Sequence, residues 1–206
     1  MSGRLVLWEV DVQKDFMLPG GKLYVPGAEK LIPNIRRLVE AAESSDTLLI
    51  SSACAHSEND PEFSVFPAHC IAGTDGARII PEGMKRDYAL IPNDPSFKLP
   101  ANIFDSPQIV IQKQVLDVFS NPHTETLVEC IGPDAKYIVF GVVTEFCVQC
   151  ASKGLLARSR QVFIVRDAIE TLDAKKGQET IDDLRLHGAR LIDTEEAVGI
   201  VLHNPR

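Results

Sequence analysis

Short runs of apolar, β-prone residues recur along the chain at Leu5–Val10, Thr47–Ser51, Gln108–Ile111, Tyr137–Val142, Val162–Val165 and Arg190–Ile192. Each is too short for a typical helix, and the central ones lack the polar alternation of a half-exposed strand, so they read as strands buried on both faces. Between them, apolar positions return every three or four residues. They do so over Ala28–Glu43, with Leu31, Ile35, Leu38 and Val39 on one face, and again over Thr124–Cys130, Cys147–Arg158 and Lys175–His187. That spacing predicts amphipathic helices. Doubly buried strands alternating with helices predict an α/β fold: a three-layer αβα sandwich, Rossmann-like, around a mostly parallel six-stranded sheet, in a single domain over residues 1–206. Ligand sites in such sheets lie at the carboxyl ends of the strands.

Residues 53–107 break the rhythm. They hold one weak helical patch, Gly76–Ile80, and prolines at positions 61, 67, 81, 92, 95 and 100. A stretch of this length without regular structure inside a compact domain is either functional or disordered. It also carries Cys54, His56, Glu62 and His69, which favours function.

With 206 residues, 45% of them hydrophobic, the chain can bury one sizeable core. A net charge of -8 without any cluster of Lys and Arg argues against nucleic acid or an anionic membrane as partner, and leaves a small molecule. The apolar stretch near the N-terminus is too short for a signal-peptide core or a membrane span, so the expected location is cytoplasmic. Five cysteines with no paired framework are expected to be reduced thiols.

Which residues could carry chemistry follows from where the strands end. Asp11 closes the first strand run, where partial desolvation would tune a carboxylate as a base; a turn residue is the other reading. Lys113 closes the Gln108 run, as a cation for its neighbours or as an ordinary surface lysine. Cys147 follows Gly141 in Phe-Gly-Val-Val-Thr-Glu-Phe-Cys-Val, where strand passes into helix. A thiol there feels the positive end of the helix dipole, which favours the thiolate, and nearby amides could receive an oxyanion. Cys70, Cys130 and Cys150 read as small buried hydrophobes. His56, His69, Glu62 and Cys54 offer N, O and S donors that a transition metal would accept, or are plain polar loop residues. His123 and His187 read as helix-terminus residues.

Taken together, these segments resemble the nicotinamidase/isochorismatase-like cysteine hydrolases. The resemblance runs through Val-Asp-Val-Gln-Lys-Asp-Phe at 10–16, Gly-Gly-Lys-Leu-Tyr-Val-Pro-Gly-Ala-Glu at 20–29, Phe-Pro-Ala-His-Cys-Ile-Ala-Gly-Thr-Asp-Gly-Ala at 66–77, Lys113, and the run around Cys147. It implies the isochorismatase-like hydrolase fold, with Asp11, Lys113 and Cys147 catalytic. It further implies an oxyanion hole from the amides of Val143 and Cys147 after a cis peptide, and a flat ring held by Phe16 and Phe66. One divalent ion (zinc, manganese or iron) would be held by Cys54, His56, Glu62 and His69, with no organic cofactor. The implied reaction is hydrolysis of nicotinamide to nicotinate and ammonia through a thioester, by a homo-oligomer. Hydrolysis of another small amide or an N-carbamoyl or ureido compound is the alternative, and a non-catalytic binding or assembly domain is the reading from another class. The chain departs from the family pattern at Cys54, where a metal aspartate is usual, at Phe66 in place of Trp, and at Phe146. Glu9, unusual inside the first strand, is expected to pair with a cation.

Overall fold

The computed structural model describes residues 3–203. In chain order it contains β1 (Leu5–Val10), α1 (Lys14–Met17), α2 (Ile32–Ser44), β2 (Leu48–Cys54), β3 (Ala89–Ile91), β4 (Gln108–Lys113) and α3 (Thr124–Ile131). These are followed by β5 (Lys136–Gly141), α4 (Gln149–Ala157), β6 (Gln161–Ile169), α5 (Ala174–Leu186), β7 (Arg190–Ile192) and α6 (Thr194–Leu202). All strands are parallel in one sheet of seven, ordered β3-β4-β2-β1-β5-β6-β7.

The predicted six strands are therefore seven. The extra one, β3, is three residues at the sheet edge, too short for any hydrophobic period to register. Gly76–Ile80 is not helical: it runs alongside the chain after β1, with an antiparallel bridge between Gln13 and Ile79. The helix α6 also escaped the sequence pattern, although Asp193 announces it by accepting from the Glu196 amide. No described helix is long and apolar enough to cross a membrane.

Two cores flank the sheet because successive strand residues point to opposite faces. Leu5 and Leu7 of β1 pack with Ile35, Leu38, Ala197 and Val201 of α2 and α6. Val6, Trp8 and Val10 pack with Leu127, Val128 and Leu155 of α3 and α4 on the other side. Each fully buried aliphatic side chain contributes roughly 1.5–3 kcal/mol. Among the other cysteines, Cys70 is buried and Cys150 half-buried, but Cys130 is exposed, so its reading as core is corrected. It lies on α3 between Glu129 and the buried Ile131, off the face that packs.

Glu9 is the exception among the sheet residues. Its side chain is fully buried, one oxygen accepts from the Ser51 hydroxyl at 2.8 Å, and the other has no hydrogen-bond partner. Burial outweighs the Ser51 bond and pushes the carboxyl up to about 8. Neutralisation, not the expected cation, accommodates it. Gln108 extends the network, donating to Ser51 Oγ and the Gly83 carbonyl and accepting from the Lys85 amide.

Register then levels the strand ends that matter. Val10 lies opposite Ser52 and Gly141, and Cys54 lies opposite Lys113. From β1 the chain fills the β2 side of the sheet and returns at β5 on the other side of β1, so a crevice opens at the carboxyl ends there. Gly141 permits the exit: its φ is +117°, and a Cβ would lie 2.1 Å from the Val10 carbonyl. The Val142–Val143 peptide that follows is cis.

Candidate active site

Four strand ends deliver one cluster. Asp11 leaves β1 with φ +51°, its amide donating to Ser52 O at 3.0 Å. Its side chain, 1% exposed, accepts from the Ser52 hydroxyl and lies 2.9 Å from Lys113 Nζ, itself 1% exposed. The same ammonium donates to Cys54 Sγ at 3.0 Å and to Cys147 Sγ at 3.5 Å. Lys113 is thus no surface lysine. One carboxylate and two thiols surround a single buried cation.

That arrangement decides the protonation states. Burial works against the Lys113 charge, but Asp11 and the two sulfurs outweigh it and hold the ammonium well above the ordinary lysine value. Burial, and then Asp11, push the Cys147 thiol well above its ordinary value; Lys113 opposes this without reversing it. The thiolate expected from the helix dipole is corrected: the resting sulfur carries its proton. Cys147 also sits in a π-turn, Thr144–Val148, one turn ahead of α4, rather than in the α-helix proper.

Around Cys147 and Val143 the pocket is walled by Phe16, Leu23, Phe66, Leu116, Phe146 and Leu172. Phe66 and Phe146 meet edge to face at 5.8 Å, and Phe16 meets the His69 ring at 5.2 Å. No Arg or Lys is among the pocket's lining residues. A second groove near Met84, Tyr88 and Leu90 opens against Ala53, Cys54 and Ala55; it shares Cys54 with the first but contains neither Cys147 nor Asp11.

Next to the thiols, donor atoms of Cys54, His56 and His69 all lie within 4.8 Å of one another, and all three residues are buried. His56 Nδ1 lies 3.1 Å from Asp60, and its buried Nε2 has no hydrogen-bond partner. His69 Nδ1 lies 2.8 Å from the Pro67 carbonyl, which can only accept, so the ring donates there and Nε2 is left with a lone pair. An orphaned buried imidazole nitrogen beside a thiol and a second imidazole fits a divalent transition ion. Glu62 stands on the pocket wall outside this three-residue cluster, and burial raises its carboxyl.

Three contributors are not legible as site residues in the sequence. Gln13 accepts from the Cys54 amide at 2.7 Å and donates to the Cys54 carbonyl at 2.8 Å, clamping that residue. Asp60 backs His56; burial would raise its carboxyl, but hydrogen bonds from the Glu62 amide and from His56 hold it low. Glu145 accepts from Thr171 Oγ1 at 2.5 Å and from the amides of Leu172 and Asp173 at 3.0 and 2.9 Å, which fixes Leu172 at the pocket mouth. Only the Asp60-Pro61 pair carried a local signal, that of a turn start.

The model of the Isochorismatase domain matches residues 5–106 and 92–196. A nicotinamidase of Acinetobacter baylyi is 27% identical, the match covering 80% of each chain. The solved pyrazinamidase of Pyrococcus horikoshii in complex with zinc superposes with a TM-score of 0.74 at 22% identity, covering 92% of this chain and 99% of that one. The N-carbamoylsarcosine amidase of Thermoplasma acidophilum superposes at 0.72 and 20% identity, covering 93% and 97%.

Proposed function

From the premise that the chain belongs to the isochorismatase domain family, we propose that it is a cysteine amidohydrolase, one catalytic domain converting nicotinamide to nicotinate and ammonia. The observation that carries this reading is the convergence of Asp11, Lys113 and Cys147, the last of which lines an aromatic-walled pocket. As the Cys147 sulfur attacks the carboxamide carbon, Asp11 takes its proton, which suits a thiol that is protonated at rest. The amides of Val143 and Cys147 receive the developing oxyanion. Protonated Asp11 passes its proton to the departing ammonia, then deprotonates the water that cleaves the thioester. Lys113, 2.9 Å from Asp11, holds that carboxyl in place beside the sulfur. Cys54, His56 and His69 would hold a divalent ion, which when bound supplies a Lewis acid that orients the ring nitrogen or a water.

The lining also favours the substrate class. Apolar walls suit a flat neutral ring, whereas a ureido acid would bring a carboxylate to a pocket without an arginine or lysine in its lining. Purified protein is expected to release ammonia from nicotinamide and to discriminate against N-carbamoylsarcosine, and Cys147→Ala is expected to abolish release by roughly 10³-fold or more. Release from the carbamoyl compound alone would replace the nicotinamide reading, and no release from either would remove the catalytic one.

Glu145→Ala is expected to free Leu172 from the pocket mouth. Loss of the three hydrogen bonds, each worth about 1 kcal/mol, should raise KM for nicotinamide about tenfold with a smaller change in kcat. Glu145→Gln, which keeps one acceptor, should recover part of that loss. An equal fall in kcat would place Glu145 in the chemistry instead.

A further inference from the structure

We infer that Cys54 is a thiolate ligand of the divalent ion, and that its sulfur makes the site select zinc or cobalt over manganese or magnesium. This rests on the metal site proposed above and is independent of which amide is hydrolysed. The chain places sulfur at the end of β2, at the position where the family it resembles carries a carboxylate, and the surroundings are built to hold it. Gln13, fully buried, grips both the amide and the carbonyl of Cys54, so the direction of the side chain is set by a rigid amide. Asp60 stands 3.1 Å behind Nδ1 of His56 and the Pro67 carbonyl 2.8 Å behind Nδ1 of His69, so the Nε2 atoms are the ones left to bind an ion. An acceptor behind each ligating imidazole is the usual support of a metal site. The fully buried His56 Nε2 has no hydrogen-bond partner, an unfavourable state that a bound ion would relieve.

A structural role as a small apolar residue does not describe Cys54. Its sulfur lies 3.0 Å from the Lys113 ammonium, a contact that a methyl group could not use and that opposes the rise that burial and Asp11 impose on the thiol. On binding, the metal–sulfur bond forms as the thiol proton leaves to solvent, so charge and atoms balance without any other reagent. One thiolate and two imidazoles form a borderline-to-soft set, which suits zinc and cobalt, whereas manganese and magnesium prefer oxygen. Three protein ligands also leave a coordination position open, as in catalytic rather than structural sites.

The test is titration of the full-length, metal-free protein with cobalt(II), read by the near-ultraviolet sulfur-to-cobalt charge-transfer band, with zinc and manganese affinities measured alongside. Wild type and Cys147→Ala should both develop the band at one equivalent. Cys54→Asp should bind cobalt without it and lose zinc-over-manganese preference by on the order of 10- to 100-fold. Cys54→Ser, nearly isosteric, should also lack the band and guards against a folding failure in the aspartate variant. A band that survives in Cys54→Ser or vanishes in Cys147→Ala, or equal affinity of wild type for zinc and manganese, overturns the inference. Failure to hydrolyse nicotinamide leaves the band unaffected and counts only against the proposed function.

Discussion

Asp11→Asn is expected to lower kcat for amide hydrolysis by about 10³-fold, within the usual worth of a positioned general base, and to destabilise the fold as well. The chemical loss follows from Cys147 being protonated at rest: with no carboxylate to take the proton, the sulfur stays a poor nucleophile. The structural loss follows from Lys113. Its ammonium is 1% exposed and 2.9 Å from Asp11, and asparagine returns one hydrogen bond but no charge. Breaking one side of a buried pair costs about 3–5 kcal/mol, or roughly 6–20 °C in Tm for a chain of this size. Thermal unfolding and kcat, measured on the single variant and on Asp11→Asn combined with Lys113→Met, separate the two effects. The double variant should regain much of the stability, because an apolar pair needs no counter-charge, and none of the activity. Residual activity above about a tenth of wild type would mean that another group takes the Cys147 proton.

Glu9→Gln is expected to stabilise the protein at pH 8 and to do little at pH 4. The folded carboxyl titrates at about 8 against an ordinary value of 4.5, so the native state holds a proton that the unfolded chain releases. Stability contributed by that proton is full below pH 4.5 and falls as pH rises to about 8. At about 1.4 kcal/mol per pH unit the gap corresponds to about 5 kcal/mol, and compensation elsewhere will reduce it. A glutamine keeps the acceptor for Ser51 and never ionises. Denaturant unfolding at pH 5 and 8 should therefore show a steeper decline for wild type than for the variant. Parallel slopes would mean that Glu9 is ionised in the folded protein and finds its compensation elsewhere.

Both outcomes depend on contacts that lie far apart in the chain, and this marks the boundary of what sequence reading reached. The alternation of buried strands with amphipathic helices was legible because periodicity reports, residue by residue, which side of an element meets water. The position of Asp11 and Lys113 at strand ends was legible for the same reason, and the run around Cys147 carried its own strand-to-helix signal. β3 and α6 were not. Three edge residues show no period, and α6 begins so soon after the Arg190–Ile192 run that its short apolar pattern does not stand out as a separate helix.

What the sequence by itself determined was the α/β architecture, the strand ends where chemistry would gather and the residue types placed there. The tertiary structure alone decided that one ammonium serves Asp11, Cys54 and Cys147, that Cys147 rests as a thiol, that Glu9 is neutral, and that Gln13, Asp60 and Glu145 hold the site. The reason is physical. Solvent exposure along an element is a local property written in its pattern, whereas the charge on a buried group depends on distances of a few ångströms set by strand register across residues tens of positions apart.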